Sequence, residues 1–546
     1  MIHGWRAWLH HASRRRAEVQ RLAAGIVIAG LLLAWALCQV EPVPTTEQIT
    51  VDPVEHALRT EWRRLRDASH PQPRQMCHWL RKLTPSLRMV AEALEYPPAD
   101  WATYAKEGRV LAYEVRPLLQ HHLREQNLIQ LAEDYLAACL KSDEAERRDA
   151  ATQVRAAAER EPPQPHANEL HASLLLRADE DAAALAAMMR EGTQFPDAAQ
   201  ARETAVRLAL LHKDRAALAE MAARGWLRAV PPILEHEAGS LLGDVWLQWC
   251  GLLRHRLATL PLAALLLTAM ASGLWYGLLV MHTPRQDWRW SWPVAPVVAG
   301  IASIWPTVSL IAWQEQEMGI GLSQEPAPFP LDLWHLILGV GLREEICKLA
   351  LAAFFMPWLL WRRAPGKALM TGAFVGLGFA LEENLDYYQS MGGAVALPRF
   401  LSANFLHVAL TGLATHALYE MLRTRFARAD FFLTTLGTVI LAHAAYDYQP
   451  PGGGGLEIYL PMMILALLAW RFWDEVDLQL PTVGQTLAPG AVLLLGSALL
   501  IATSLITTAV QHRDWGRVLE AASACASILP VMLIYWRRFE GGMSAR

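Results

Sequence analysis

The sequence predicts an all-α protein: a polytopic membrane bundle of about ten helices, with a soluble α-helical domain inserted after the first. Three observations predict it. The 546-residue chain is 53% hydrophobic and holds 22 Trp, too apolar for one soluble domain, yet 19% of its residues are charged, too many for a bare bundle. Its apolar residues gather into runs near 20 residues, the length that crosses a ~30 Å hydrocarbon core. One long stretch, 41–256, holds no such run. The net charge of −4 gives no basic footprint for nucleic acid.

The first element is a basic N-terminus, 1–21, with Arg14, Arg15, Arg16 and Arg21, followed by the apolar run 22–40 and then Glu41. A signal peptide would have a shorter core and a small-residue cleavage site. The run therefore reads as an uncleaved anchor. By the positive-inside rule its N-terminus is cytoplasmic and residue 41 lies outside.

Residues 41–256 are rich in Ala, Leu, Arg and Glu. Stretches 170–190 and 199–223 carry apolar residues at helical spacing with charges between. Pro162, Pro163, Pro165 and Pro196 break the pattern between segments. Helices of ~10–18 residues with short turns suggest either helical-hairpin repeats or an irregular helical domain. Either would bind a partner or present a substrate. The six Cys (38, 77, 139, 250, 347, 525) lack CxxC spacing, and Cys77 with Cys139 could form one disulfide.

Nine further apolar runs follow: 257–281, 293–314, 331–361, 368–387, 399–422, 431–448, 456–472, 487–510 and 518–536. With the anchor they make ten spans, which returns the C-terminus to the cytoplasm. Two spans and an outer loop occupy 257–330, and three spans occupy 451–546. The loops agree in charge: Arg285 and Arg289, Arg362 with Arg363 and Lys367, Arg423 with Arg425 and Arg428, and Arg537 with Arg538 all fall on the cytoplasmic side. Loop 315–330 has Glu315, Glu317 and Glu325 and no basic residue. Loop 473–480 dissents, being acidic (Asp474, Glu475, Asp477) where it should lie inside. The predicted location is the cell (inner) membrane, with lipid around the bundle.

Within 331–450 four consecutive runs carry polar groups at one depth. The first has Glu344, Glu345 and Lys348; the second Glu382, Glu383 and Asn384; the third Asn404 and His407; the fourth His443 and Asp447. Counted from the cytoplasmic end of its own run, each key residue lies 12–16 residues up. That is ~18–24 Å at 1.5 Å per residue, in the outer half of the bilayer. A charge at the centre of a membrane helix costs ~2.5–3.5 kcal/mol on insertion scales, so such a layer points to chemistry. Glu344 and Lys348 share a helix face, so the Lys could neutralise a carboxylate. His443 and Asp447 share one as well, so the Asp could orient the His. Gly372, Gly376 and Gly378 would let helices approach closely. Lone Asn404 and His416 read as interhelical hydrogen bonds.

These residues resemble a known family. GLREEICK (341–348) is similar to the first motif, G-x-x-E-E-x-x-K, of the PrsW intramembrane proteases, relatives of the CAAX prenyl endopeptidases. GFALEEN (378–384) with Tyr387 resembles the second motif. Arg399, His407, Thr411 and Gly412 resemble the third, and HAAYD (443–447) the fourth. The resemblance covers 331–450 and says nothing of 41–256. It implies hydrolysis of a peptide bond in a membrane-embedded protein substrate, of the anti-sigma-factor kind, near the extracytoplasmic side.

Hydrolysis needs an activated water, an oxyanion stabiliser and an acid for the leaving amine. Glu344 or Glu345 would be the base. By resemblance Glu383 and His407 would hold water or a metal, Asn384 would donate to the oxyanion, and His443 would act as acid or donor with Asp447 behind it. Glu383, His407 and His443 also make an acceptable Zn²⁺ set, although HExxH is absent; a metal-free glutamate mechanism stands equally. Two other classes compete: a non-catalytic scaffold or immunity-type protein, and a proton-coupled transporter. The latter would show inverted repeats, and none is evident.

Overall fold

A computed structural model describes residues 8, 10–39, 126–140, 144–283, 292–320, 331–448, 460–480, 487–540 and 543, and every regular element among them is helical. The predicted start of the inserted domain with Cys77, the loop residues Arg285 and Arg289, and Glu325 lie outside the described residues. The chain divides into two compact units, one of residues 1–43 and 256–546, the other of 44–255.

The second unit is built of consecutive helices: α1 being Arg16–Gln39 of the other unit, these are α2 (Gln126–Leu140), α3 (Glu144–Glu159), α4 (Ala167–Arg177), α5 (Asp181–Gln194), α6 (Ala199–Leu211), α7 (Arg215–Ala223), α8 (Pro232–Leu242) and most of α9 (Val245–Thr259). Each packs on its neighbour in sequence from α2 to α8. Ala and Leu face inward, with Ala184, Met188, Ala205, Leu218 and Leu234 in one core. Asp214 caps α7 by accepting from the Ala217 amide. Pro232 opens α8 at the position where a missing N–H costs nothing. Cys139 carries a free thiol.

The other unit continues with α10 (Leu262–Met281), α11 (Val294–Ala302), α12 (Ile304–Trp313) running into a π-turn at Gln314–Met318, α13 (Leu331–Leu336), a second π-turn at Ile337–Leu342, α14 (Arg343–Ala353), α15 (Met356–Arg362), α16 (Pro365–Met391), α17 (Ala396–Leu401), α18 (Ala403–Arg423), α19 (Ala429–Asp447), α20 (Leu460–Gln479), α21 (Pro489–His512), α22 (Trp515–Ser527) and α23 (Leu529–Phe539). α16 and α18 form the centre, buried over most of their length. α10, α11, α14 and α20 pack around them, and α19 lies against α18 and the second π-turn. Trp275, fully buried, donates from its indole N–H to the Phe400 carbonyl and so ties α10 to α17.

The ten-span expectation is met only in its coarse form. Among the described residues five helices are long and apolar enough to cross a membrane: α1, α10, Val294–Met318, α19 and α21. Two bent pairs, Pro365–Leu401 with Ala403–Arg423 and α22 with α23, raise this to seven if each pair is one span. The remaining runs fail for physical reasons. Run 331–361 is cut by the π-turn and again after Ala353, and carries the polar cluster. Run 456–472 becomes α20, whose end holds Asp474, Glu475 and Asp477. Run 518–536 bends by 46° where Pro530 enters the first turn of α23. α16 and α18 nevertheless run antiparallel. A Cβ at Gly376 would overlap the His407 carbonyl, and one at Gly372 would overlap Thr411, so the registers descend against each other.

Candidate active site

Four elements bring the polar layer together. α14 presents Glu344, Glu345 and Lys348; α16 presents Glu383 and Asn384; α18 presents Asn404, His407 and Thr411; α19 presents His443 and Asp447. Two glycines permit the approach. Gly376 admits the backbone of His407, and Gly341 in the π-turn admits the Ile440 carbonyl of α19, one turn before His443. A side chain at either position would push a site residue away.

Lys348 sits at the centre, its side chain fully buried. Its ammonium lies 2.5 Å from Oε1 of Glu345, 3.0 Å from Nδ1 of His407 and 3.7 Å from Oε2 of Glu344. The Phe379 ring closes the other side at 4.3 Å from Nζ. The Lys therefore pairs first with Glu345, where spacing alone had favoured Glu344. Because an ammonium only donates, Nδ1 of His407 accepts, and its proton is on Nε2, which donates to Oε2 of Glu383 at 2.9 Å. Arg399 holds the same oxygen at 2.7 Å, stacks over the Tyr387 ring at 3.6 Å, and donates from Nε to Oδ1 of Asn384 at 2.6 Å.

Glu345 is saturated. It accepts from Lys348, from Nδ1 of His443 at 2.8 Å and from the Thr411 hydroxyl at 3.4 Å, and its side chain has no exposure. A proton on Nδ1 leaves Nε2 of His443 as a lone pair. That atom faces Oε2 of Glu344 at 3.7 Å and Oδ2 of Asp447 at 3.5 Å. Oε2 of Glu344 is buried and makes no hydrogen bond. The cluster opens along Glu344, Glu383 and Asp447, whose side chains are 13%, 25% and 35% exposed.

Three expected roles meet different surroundings. Asn384 is committed, since its amide donates to Oδ1 of Asn404 at 2.6 Å while its own oxygen takes Arg399; this is also the interhelical bond expected of Asn404. Asp447 lies 3.5 Å from Nε2 of His443, while Glu345 on another helix takes Nδ1 at 2.8 Å. Glu382 turns out of the layer to Arg256 at 3.2 Å, and Arg256 also pairs with Asp386. His416 pairs with Glu475 of α20 at 3.2 Å, remote from the layer in sequence register. Residue spacing missed Gln314 and the role of Arg343. Nε2 of Gln314 donates to the Leu338 carbonyl at 3.0 Å, and its Oε1 accepts from Arg343 at 2.9 Å. A buried Gln at the end of an apolar run was the available signal.

The donor set fits a divalent cation. Glu344, His407 and His443 each place a ligand atom within 4.8 Å of the other two, the carboxylate partly buried and both imidazoles buried. A carboxylate and two imidazoles with a position left open is the make-up of catalytic zinc sites. The unpartnered Oε2 of Glu344 is the kind of orphaned buried atom such an ion satisfies. Four carboxylates in the layer (Glu344, Glu345, Glu383 and Asp447) stand against two permanent cations, Lys348 beside Glu344 and Glu345 and Arg399 beside Glu383, so positive charge is in deficit. Glu383, expected as a ligand, has its nearer oxygen taken by His407 and Arg399. Glu345 behind His443 leaves Nε2 of that ring for an ion, whereas His407, with Nε2 on Glu383, would take one through Nδ1 in exchange for Lys348.

Comparison with protein families gives one match. Residues 288–470 match the family described as PrsW family intramembrane metalloprotease. No curated protein and no solved structure matches the chain.

Proposed function

We propose, from the match of residues 288–470 to the PrsW intramembrane metalloprotease family, that Glu344 is the carboxylate that meets the attacking water when the chain hydrolyses a peptide bond of a membrane-embedded protein. One observation carries the choice. Glu345 has its hydrogen bonds filled by Lys348, His443 and Thr411, whereas Oε2 of Glu344 is buried with no hydrogen bond, its charged neighbours Lys348 and His443 both standing off at 3.7 Å.

Glu344 accepts a proton from water, whose oxygen then adds to the scissile carbonyl carbon. The C–N bond breaks, and the leaving amine takes that proton. Without a metal, Nε2 of His443, beside Glu344, relays that proton to the amine; with an ion held at that nitrogen, Glu344 would deliver it directly. Glu345 fixes the ring of His443 through Nδ1, and the buried Lys348 offsets the negative charge that the reaction concentrates. Glu383 and Arg399 fix His407. A Zn²⁺ taken by Glu344, His407 and His443 would supply Lewis-acid polarisation of the carbonyl.

The cut falls near the extracytoplasmic side, in a substrate of the anti-sigma-factor kind, within a polytopic bundle whose termini are cytoplasmic. Residues 41–256 lie outside and recognise or gate the substrate. The depth of the layer, reached by counting from basic loops, supports this orientation. The experiment compares Glu344→Gln and Glu345→Gln with the wild-type chain in membranes, reading cleavage and retained partners together. Loss of cleavage with capture of a membrane protein by Glu344→Gln supports the reading; normal cleavage by both variants removes it.

A further inference from the structure

Arg343 turns to Gln314, at the start of the π-turn that follows α12, while Glu344, Glu345 and Lys348 turn to α16, α18 and α19. Arg343 is 5% exposed, its Nε is buried without a partner, and its NH1 is held at 2.9 Å by the neutral amide oxygen of Gln314. The same amide donates from Nε2 to the carbonyl of Leu338, inside the π-turn. One buried side chain therefore grips α14 at both ends of the turn that precedes the carboxylates.

That turn matters because of what it does to register. A π-turn inserts one residue into the helix, which rotates everything after it by about 100° relative to an uninterrupted α-helix. Without it, Glu344 would point where a neighbouring residue now points. A π-turn also takes a carbonyl out of the i→i+4 ladder, and a carbonyl in an apolar setting needs a donor. Gln314 supplies one to Leu338. It stands at the first position of its own π-turn, Gln314–Met318, so an irregular segment on each helix faces the other.

We propose that Gln314 is a positioning residue of this peptidase: by bridging the Leu338 carbonyl and Arg343 it holds the π-turn, and thereby sets which face of α14 carries Glu344 and which carries Glu345. It touches neither substrate nor water. The inference rests on the reading of Glu344 given above, and the experiment separates the two.

Four full-length chains are compared in membranes: wild type, Glu344→Gln, Gln314→Leu and Gln314→Glu. New N-termini of membrane proteins are counted per folded chain, and capture of uncut substrate is measured for Glu344→Gln with and without Gln314→Leu. Gln314→Leu keeps the volume and loses both hydrogen bonds; a displacement near 1 Å at the carboxylates lowers turnover by about tenfold or more. Gln314→Glu still accepts from Arg343 and falls between it and the wild type. Capture by the Glu344→Gln chain is unchanged by Gln314→Leu, which a merely structural role would not allow. Cleavage at the wild-type rate by Gln314→Leu, with Glu344→Gln silent, overturns this inference alone. So does loss of capture in step with cleavage. New N-termini from Glu344→Gln overturn the parent reading and this one with it.

Discussion

Glu345 accepts from three side chains, and Glu344 beside it leaves an oxygen bare. The two carboxylates therefore respond differently to loss of charge. Glu344→Gln is expected to slow cleavage by about 10²–10⁴-fold, the contribution of a positioned acid–base group, with the thermal midpoint near wild type. Glu345→Gln is expected to lose cleavage and stability together. It leaves the fully buried Lys348 short of its nearest anion, and breaking a buried pair costs ~3–5 kcal/mol. Cleavage rates and thermal unfolding of the two purified variants check this. A metal test follows from the donor set of Glu344, His407 and His443. Elemental analysis of the purified chain is expected to find about one divalent ion, lost in His407→Ala and in His443→Ala; full cleavage by demonstrably metal-free protein would contradict it. Which residues carry charge at a shared depth was legible from counting along the helices. Their pairing was not, because spacing on one helix names the neighbours at i+4 and is blind to the helix opposite. Lys348 thus goes to Glu345 and His407, and Nδ1 of His443 to Glu345.

At the scale of elements, the site depends on close approaches that only small residues allow. α16 meets α18 where Gly376 faces the His407 carbonyl, and the π-turn meets α19 where Gly341 faces Ile440. Gly376→Val is expected to cost ~1–3 kcal/mol by overpacking and to shift His407 away from Lys348. Loss of cleavage with a lowered unfolding midpoint is the outcome; an unchanged rate and midpoint would mean that α18 moves freely there. The glycines of α16 were visible in the sequence as a stripe ahead of the Glu pair. The π-turn at 337–342 was not. It inserts a residue without changing the apolar composition, so run 331–361 reads as one helix until the backbone is seen. The bend at Ile528 had a signal in Pro530, which an apolar count passes over.

Across the whole molecule, helical class and a membrane setting were both legible, because long apolar runs and Ala/Leu/Glu/Arg composition leave little room for strands. The span count was less so. The runs nearest the polar layer fall short on the very charges that mark the site, and α20 carries an acidic end. In the second unit, helices α2 to α8 pack in sequence order, and their short lengths match the spacing of breakers such as Pro163 and Pro196. The proposed orientation makes a direct prediction. In an otherwise cysteine-free chain, Ala216→Cys on the exposed face of α7 is expected to react with a membrane-impermeant thiol reagent in intact cells, while Cys placed at Arg425 reacts only after the membrane is opened. The reverse pattern would invert the topology and place the catalytic layer in the inner half.

The most direct test profiles new protein N-termini in membranes of cells that make the wild-type chain and of cells that make Glu344→Gln at equal abundance. Glu344 as the water-handling carboxylate of an intramembrane peptidase predicts termini within or beside membrane spans that appear with the wild type and vanish with the variant. Identical profiles from the two chains would contradict it.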